Sequence, residues 1–222
     1  MNKQNENNNI KIKICGIKNI KILNYLIKNS IDFYGLIFYE KSPRFVDINI
    51  ATNLVNISKN TKINPVGVFV DFPINKIQKH IDKLDLKYIQ LHGNESDEYI
   101  KKLKENNKIN IIKVIGIENL ESIKEINNFK NPNYFLFDYK PKTTKELPGG
   151  NAKQFNWNLV KKLKIKKNWF LSGGINEENI QNAINLKNLY GIDISSGVEE
   201  ILGIKSIDKI SRILKLINEY KK

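Results

Sequence analysis

Two residues stand out first by type and place. Cys15, in the stretch IKICGIKN, is the only cysteine among 222 residues, and it closes a short apolar run just before Gly16. Asp138 closes a later run, in FLFDYKPK. A thiolate can act as a nucleophile or as a base. An unperturbed thiol titrates near about 8.5, so a nearby cation or helix N-terminus has to favour its ionised form. A carboxyl drawn partly out of water gains proton affinity and can serve as a general acid. Together Cys15 and Asp138 would make a base–acid pair for moving protons on one small substrate. Each also has a plainer reading: a lone cysteine packs as a small apolar side chain, and an aspartate after a strand can cap a turn.

Two glycine-bearing loops follow later. LSGGINEENI carries Gly173 and Gly174, with Asn176 placed to cap a helix opening at Glu177, Glu178 and Asn179. DISSGVEEILG carries Asp193, Ser195, Ser196 and Gly197. Glycine lets backbone N–H groups approach an anion, and helix N-termini favour negative charge. Ordinary turn glycines would look the same singly; the pair of loops points to phosphate. Arg44, in YEKSPRFV, is one of two arginines, the other being Arg212. Its planar fork matches a carboxylate in a bidentate pair, which lysine cannot copy; a surface salt bridge is the alternative. His92, in IQLHGNE, suits a ligand contact or a packed histidine, and His80 sits mid-helix in a structural setting. Two separated histidines and one cysteine do not make a metal constellation.

These residues need elements to hold them. Short runs rich in Ile, Val and Phe alternate with longer amphipathic stretches. The apolar runs cover residues 10–15, 33–39, 65–70, 87–91, 109–115, 133–137, 168–172 and 189–195. The amphipathic stretches predict helices over 20–29, 50–60, 74–83, 96–106, 120–127, 156–165, 177–186 and 207–220. Near-continuous apolar strands suit a parallel sheet covered on both faces. Eight such units in this length predict a closed (β/α)₈ TIM barrel of the α/β class. An open doubly wound sheet is the other arrangement, although no G-x-G-x-x-G follows the first strand. In a barrel, the residues just after the strands gather on one rim, where such barrels place their chemistry. Cys15, Asp138, Gly173, Gly174 and the Ser195–Gly197 stretch all fall there.

Composition bounds the rest. The first nine residues, MNKQNENNN, read as a polar tail ahead of one barrel domain over 10–222. They lack the apolar segment of a signal peptide, and no run approaches the roughly 20 apolar residues of a membrane helix. With one cysteine, no internal disulfide forms, which fits the reducing cytoplasm. The net charge of +14 comes from 37 basic residues, all but two of them lysine, spread over every face. Nucleic-acid surfaces use clustered arginine forks and stacked aromatics, so no nucleic-acid partner is expected. The field favours a small anionic substrate.

The motifs KICGIKN, GLIFYEKSPRFV, VGVFVD, IQLHGNE, IIKVIGI, FLFD, GGNAKQFNW, LSGGINEENI and IDISSGVEEILGIKS, in that order, resemble the phosphoribosylanthranilate isomerase family across nearly the whole chain. The resemblance implies a cofactor-free and metal-free Amadori rearrangement in tryptophan biosynthesis. N-(5-phosphoribosyl)anthranilate would become 1-(2-carboxyphenylamino)-1-deoxyribulose 5-phosphate, in a monomer or homodimer. It implies Cys15 as general base and Asp138 as general acid, and Arg44 on the anthranilate carboxylate. Gly173, Gly174, Ser195, Ser196 and Gly197 would take the phosphate, with Asp193 near the sugar or amine and His92 in the binding site. Two other readings compete. A histidine-pathway isomerase would use two aspartates, against which Cys15 speaks. A non-catalytic anion- or RNA-binding barrel would draw on the charge.

The chain also departs from the family's pattern after the acid. Tyr139 stands where the family has threonine, and Asn156 where it has an aspartate before the tryptophan. The family's G-x-G-K reads Gly150-Asn151-Ala152-Lys153. An alanine costs most where φ is positive, so closure of this loop is where the departures bear.

Overall fold

The computed structural model describes residues 10–143, 146–161 and 165–220. The polar tail over 1–9 lies outside the described residues. Eight parallel strands close into a barrel: β1 (Lys11–Cys15), β2 (Phe33–Ile37), β3 (Asn64–Phe69), β4 (Tyr88–Leu91), β5 (Asn110–Ile117), β6 (Tyr134–Tyr139), β7 (Trp169–Leu171) and β8 (Gly191–Ile194). Closure is made by β1 pairing with β8, Lys11 opposite Gly191 and Lys13 opposite Asp193. That pairing excludes the open sheet.

The helices are α1 (Ile20–Lys28), α2 (Ile48–Ser58), α3 (Ile74–Leu84), α4 (Asp97–Glu105), α5 (Leu120–Lys124), α6 (Asn158–Lys161), α7 (Ile180–Ile184) and α8 (Ile207–Tyr220). Their starts follow local chemistry. Asn19, Asp47 and Ser96 each accept a hydrogen bond from a backbone N–H in the first turn of α1, α2 and α4, satisfying donors that have no partner within the helix. Asp47 starts α2 two residues before the expected position. Helix α5 ends early and runs into a 3₁₀ turn, Glu125–Asn128. The Asn176 side chain accepts from the N–H of Glu178 and Asn179, so it orders a turn, and α7 proper begins only at Ile180. The part of the expected sixth helix at 162–164 lies outside the described residues.

One element goes beyond the alternating pattern. A hairpin, β9 (Glu199–Ile201) with β10 (Ile204–Lys205), sits between β8 and α8. Its strands are too short to show a period of two, so the sequence reads as a loop there.

Strand residues alternate between two environments, as the pleat requires. Ile12 and Ile14 of β1 join the large core beneath the helices, with Leu23 and Leu26 of α1. A second cluster, Phe33, Val66, Ile112, Val114, Leu136 and Phe170, fills the barrel's interior, with Tyr88, Tyr134 and Tyr190 packed against it. Edge-to-face pairs such as Phe33–Tyr88 at 5.1 Å and Phe170–Tyr190 at 5.2 Å plug it. Each such side chain stabilises the fold by about 1.5–3 kcal/mol on burial. The interior above this plug faces the C-terminal mouth. His80 is structural, as expected: on α3 it packs against Phe38 and Phe69 at 4.5 and 5.3 Å. Among the described residues no helix is long and apolar enough to cross a membrane.

Candidate active site

A cavity opens at the C-terminal mouth. It is lined by Cys15 from β1, Gln90 and His92 at the end of β4, Asp138 from β6, Asp193 from β8 and Arg44 from the loop after β2. A second, adjoining cavity shares Asp138, Asp193 and Ser195 and extends to Gly173, Gly174 and Ser196. The residues singled out from the sequence therefore converge on one connected space, Gly197 supporting it from behind.

Cys15 is buried beside Gly35 of β2, its register partner. A Cβ on Gly35 would lie 2.5 Å from the Cys15 Sγ, so glycine there leaves room for the thiol. Burial pushes the thiol above its ordinary value; the Lys13 ammonium is the strongest influence the other way. Across the mouth, Asp138 Oδ1 accepts a 2.7 Å hydrogen bond from the Tyr139 N–H. Its Oδ2 lies 3.5 Å from His92 Nε2. That nitrogen, Gln90 Oε1 and Asp193 Oδ1 are buried without a hydrogen-bond partner. All three residues line the cavity. Buried polar atoms are almost always paired, so these three atoms are available to polar groups that enter the cavity.

Arg44 lines the cavity but differs from expectation in detail. Its Nε and Nη2 donate to Glu199 at 2.6 and 2.8 Å, and Nη2 also donates to the Gly150 carbonyl at 3.2 Å. The bidentate edge of the fork thus belongs to a protein carboxylate, because both groups are buried and each needs a counter-ion. Lys205 donates to the same Glu199 at 2.6 Å and to the Ser195 carbonyl at 3.1 Å. Burial pulls the Lys205 ammonium down to about 8. Burial pushes the Glu199 carboxyl up, but Arg44 and Lys205 outweigh it and hold the group below its ordinary value.

Glycine is required at the two loops for stated reasons. Gly173 and Gly174 have φ of 87° and 66°. A Cβ at Gly173 would come within 2.9 Å of Asp138 Oδ1. At Gly197 it would run into the Ile175 carbonyl, so the two loops pack directly on each other.

Leu147 to Gly150, in the loop after β6, lie over the mouth. A Cβ on Gly149 would meet His92, and one on Gly150 would meet Arg44. Tyr139, the departure from threonine, has Lys153 Nζ 5.5 Å above its ring, and Lys153 also reaches Glu146 at 3.2 Å. Ala152 stands at φ 56°, the left-handed region. That conformation costs an L-residue about 1–2 kcal/mol. Ala152→Gly should therefore stabilise the chain by up to about 1 kcal/mol, read as a higher urea midpoint at unchanged slope. A midpoint that falls or stays put would show the turn to be unstrained.

Four contributors were missed in sequence: Lys13, Gln90, Glu199 and Lys205. Gln90 had a usable signal, since it precedes His92 by two and so shares its inward face. The lysines had none, because 35 lysines leave no compositional contrast.

Comparison with known proteins bears on this geometry. Residues 12–216 match the family model for N-(5'-phosphoribosyl)anthranilate (PRA) isomerase. The chain is 34% identical over 209 residues to the N-(5'-phosphoribosyl)anthranilate isomerase of Rhizobium johnstonii, covering 94% of each chain. It is 36% identical to that of Caldanaerobacter subterraneus, covering 94% of this chain and 98% of the other. Among solved structures it resembles phosphoribosyl anthranilate isomerase from Thermotoga maritima, with TM-score 0.84, 30% identity, and 95% and 99% of the two chains covered. It also resembles a phosphoribosyl anthranilate isomerase in complex with reduced 1-(o-carboxyphenylamino)-1-deoxyribulose 5-phosphate, with TM-score 0.81, 29% identity and the same coverage.

Proposed function

We propose the following division of labour for this chain, which belongs to the N-(5'-phosphoribosyl)anthranilate isomerase family: Cys15 is the general base and Asp138 the general acid. The chain is a phosphoribosylanthranilate isomerase of tryptophan biosynthesis. The observation that carries the assignment is that the two groups face one cavity from opposite strands of the barrel, β1 and β6.

Asp138 gives its proton to the furanose ring oxygen, and the C1–O bond breaks to leave a Schiff base. Cys15 then takes the proton from C2; the electron pair of that C–H bond forms the C1–C2 double bond as the C=N π pair moves onto the nitrogen. The resulting enolamine gains a proton at C1 as its hydroxyl becomes the ketone. No redox change occurs and no cofactor is called for. The loops at Gly173–Gly174 and Ser195–Gly197 hold the phosphate, where glycine allows close backbone approach. Arg44 meets the anthranilate carboxylate through Nη1 and its charge, since Glu199 occupies its other edge. His92 Nε2 and Asp193 Oδ1, neither of which has a hydrogen-bond partner in the protein, take the sugar and the amine.

On this reading the chain works in the cytoplasm, as a monomer or homodimer. A related enzyme from Thermotoga maritima is described as dimeric. The +14 charge draws in a substrate that carries a phosphate and a carboxylate, and no nucleic acid takes part. The test is consumption of fluorescent phosphoribosylanthranilate by the purified chain. Turnover is expected; a folded chain without it would overturn the reading.

A further inference from the structure

The barrel interior holds a charged group that the mechanism above leaves unused. Lys13 lies two residues before Cys15 on β1, on the same inward face, and its side chain is fully buried. Its Nζ donates to Asp193 Oδ2 at 2.8 Å, and Cys15 is the next residue on that inward face, near enough for its charge to act on the ammonium. Asp193 faces it from β8 in direct register, with Oδ1 left unpartnered towards the cavity. A fully buried ammonium is costly unless paired. Here the carboxylate that pairs it and the thiol beside it both line the candidate site.

We propose that Lys13 is the positioning residue that makes the base usable: its ammonium stabilises the Cys15 thiolate and at the same time fixes Asp193 with one oxygen free for substrate. The proposal rests on Cys15 being the base. The ammonium keeps its own proton throughout; the C2 proton goes to Sγ, and Lys13 only offsets the charge that the thiolate carries. Burial works against the Lys13 charge, but Asp193 and Cys15 outweigh it and its proton is held more tightly than usual. For Cys15, burial and Asp193 favour the neutral thiol, whereas Lys13 and Lys205 favour the thiolate, with Lys13 the larger of the two. Lys205 is itself engaged by Glu199, which it shares with Arg44. From the far side of the mouth, Asp138 and His92 act on Asp193 in opposite senses.

With one cysteine in the chain, iodoacetamide labelling reports Cys15 alone. Its rate against pH is measured in the wild type, in Lys13→Met and in Lys13→Gln, the last retaining a donor for Asp193. Both variants should move the labelling midpoint up by about one unit or more, as expected on losing an adjacent opposite charge. Lys13→Gln, which still holds Asp193, should also lose about 10²-fold in kcat with KM changed less than about threefold, whereas Lys13→Met, which releases Asp193, should raise KM as well. A merely packed lysine would lower activity or stability without moving the midpoint, and an unmoved midpoint overturns the proposal. Should neither variant fold, the wild type decides. The Lys13 ammonium nitrogen NMR signal should follow the Cys15 titration and stop doing so in Cys15→Ser; a signal indifferent to that titration also overturns it. Near-normal turnover in Cys15→Ser would instead refute the base assignment, an outcome separate from the labelling result.

Discussion

Cys15→Ser should abolish most turnover, by about 10²–10⁴-fold in kcat, the range that a positioned acid–base group supplies. The hydroxyl is slightly smaller than the thiol and fits the space that Gly35 leaves, so the barrel should stay intact. A serine hydroxyl does not ionise in the working pH range, and Lys13 would then face a neutral group. KM should change little, because the thiol contributes a proton acceptor and not a binding contact. The wild-type rate should also climb with pH through neutrality. The thiolate is the reacting form, and burial raises this thiol above its ordinary value, so its fraction grows as pH rises through neutrality and beyond. The check is kcat and KM of both proteins across pH. Retention of turnover within tenfold would remove Cys15 from the role of base.

Asp138→Asn should cost a comparable factor, about 10²-fold or more in kcat. The amide oxygen can still accept from the Tyr139 N–H, as Oδ1 does at 2.7 Å, so the loop after β6 keeps its anchor. What disappears is the proton that Oδ2 would deliver to the ring oxygen. Oδ2 lies 3.5 Å from His92 Nε2, and an amide NH₂ in its place can still satisfy that nitrogen. Fold and substrate affinity should therefore survive while ring opening slows. Steady-state kinetics separate the two roles: an acid loses kcat, whereas a residue that only binds substrate raises KM at constant kcat. The second pattern would transfer Asp138 to binding.

Some of the site was legible residue by residue. Cys15 and Asp138 ended apolar runs, Gly173 and Gly174 followed another, and Ser195 to Gly197 a fourth. Arg44 was singled out as a fork for a substrate carboxylate; it lines the cavity, yet its bidentate partner in the protein was not foreseen. Glu199 lies 155 residues away in sequence and belongs to a hairpin too short to announce itself. Ala152 was flagged as an alanine in a glycine's place, and its φ of 56° shows why that substitution matters.

By itself, the sequence determined the alternation of strands and helices and therefore the rim on which the reactive side chains collect. The physical reason is that parallel strands with helical crossovers all point the same way, so every strand's C-terminal end reaches the same face. Only the tertiary structure decided which charges touch. Lys13 meets Asp193 because the closing pair β1–β8 sets them in register across 180 residues, and no local period encodes that register. Burial then turns the contact into chemistry: the same ammonium on the surface would be screened by water, whereas inside the barrel Asp193 answers it at 2.8 Å and the Cys15 thiol feels its charge.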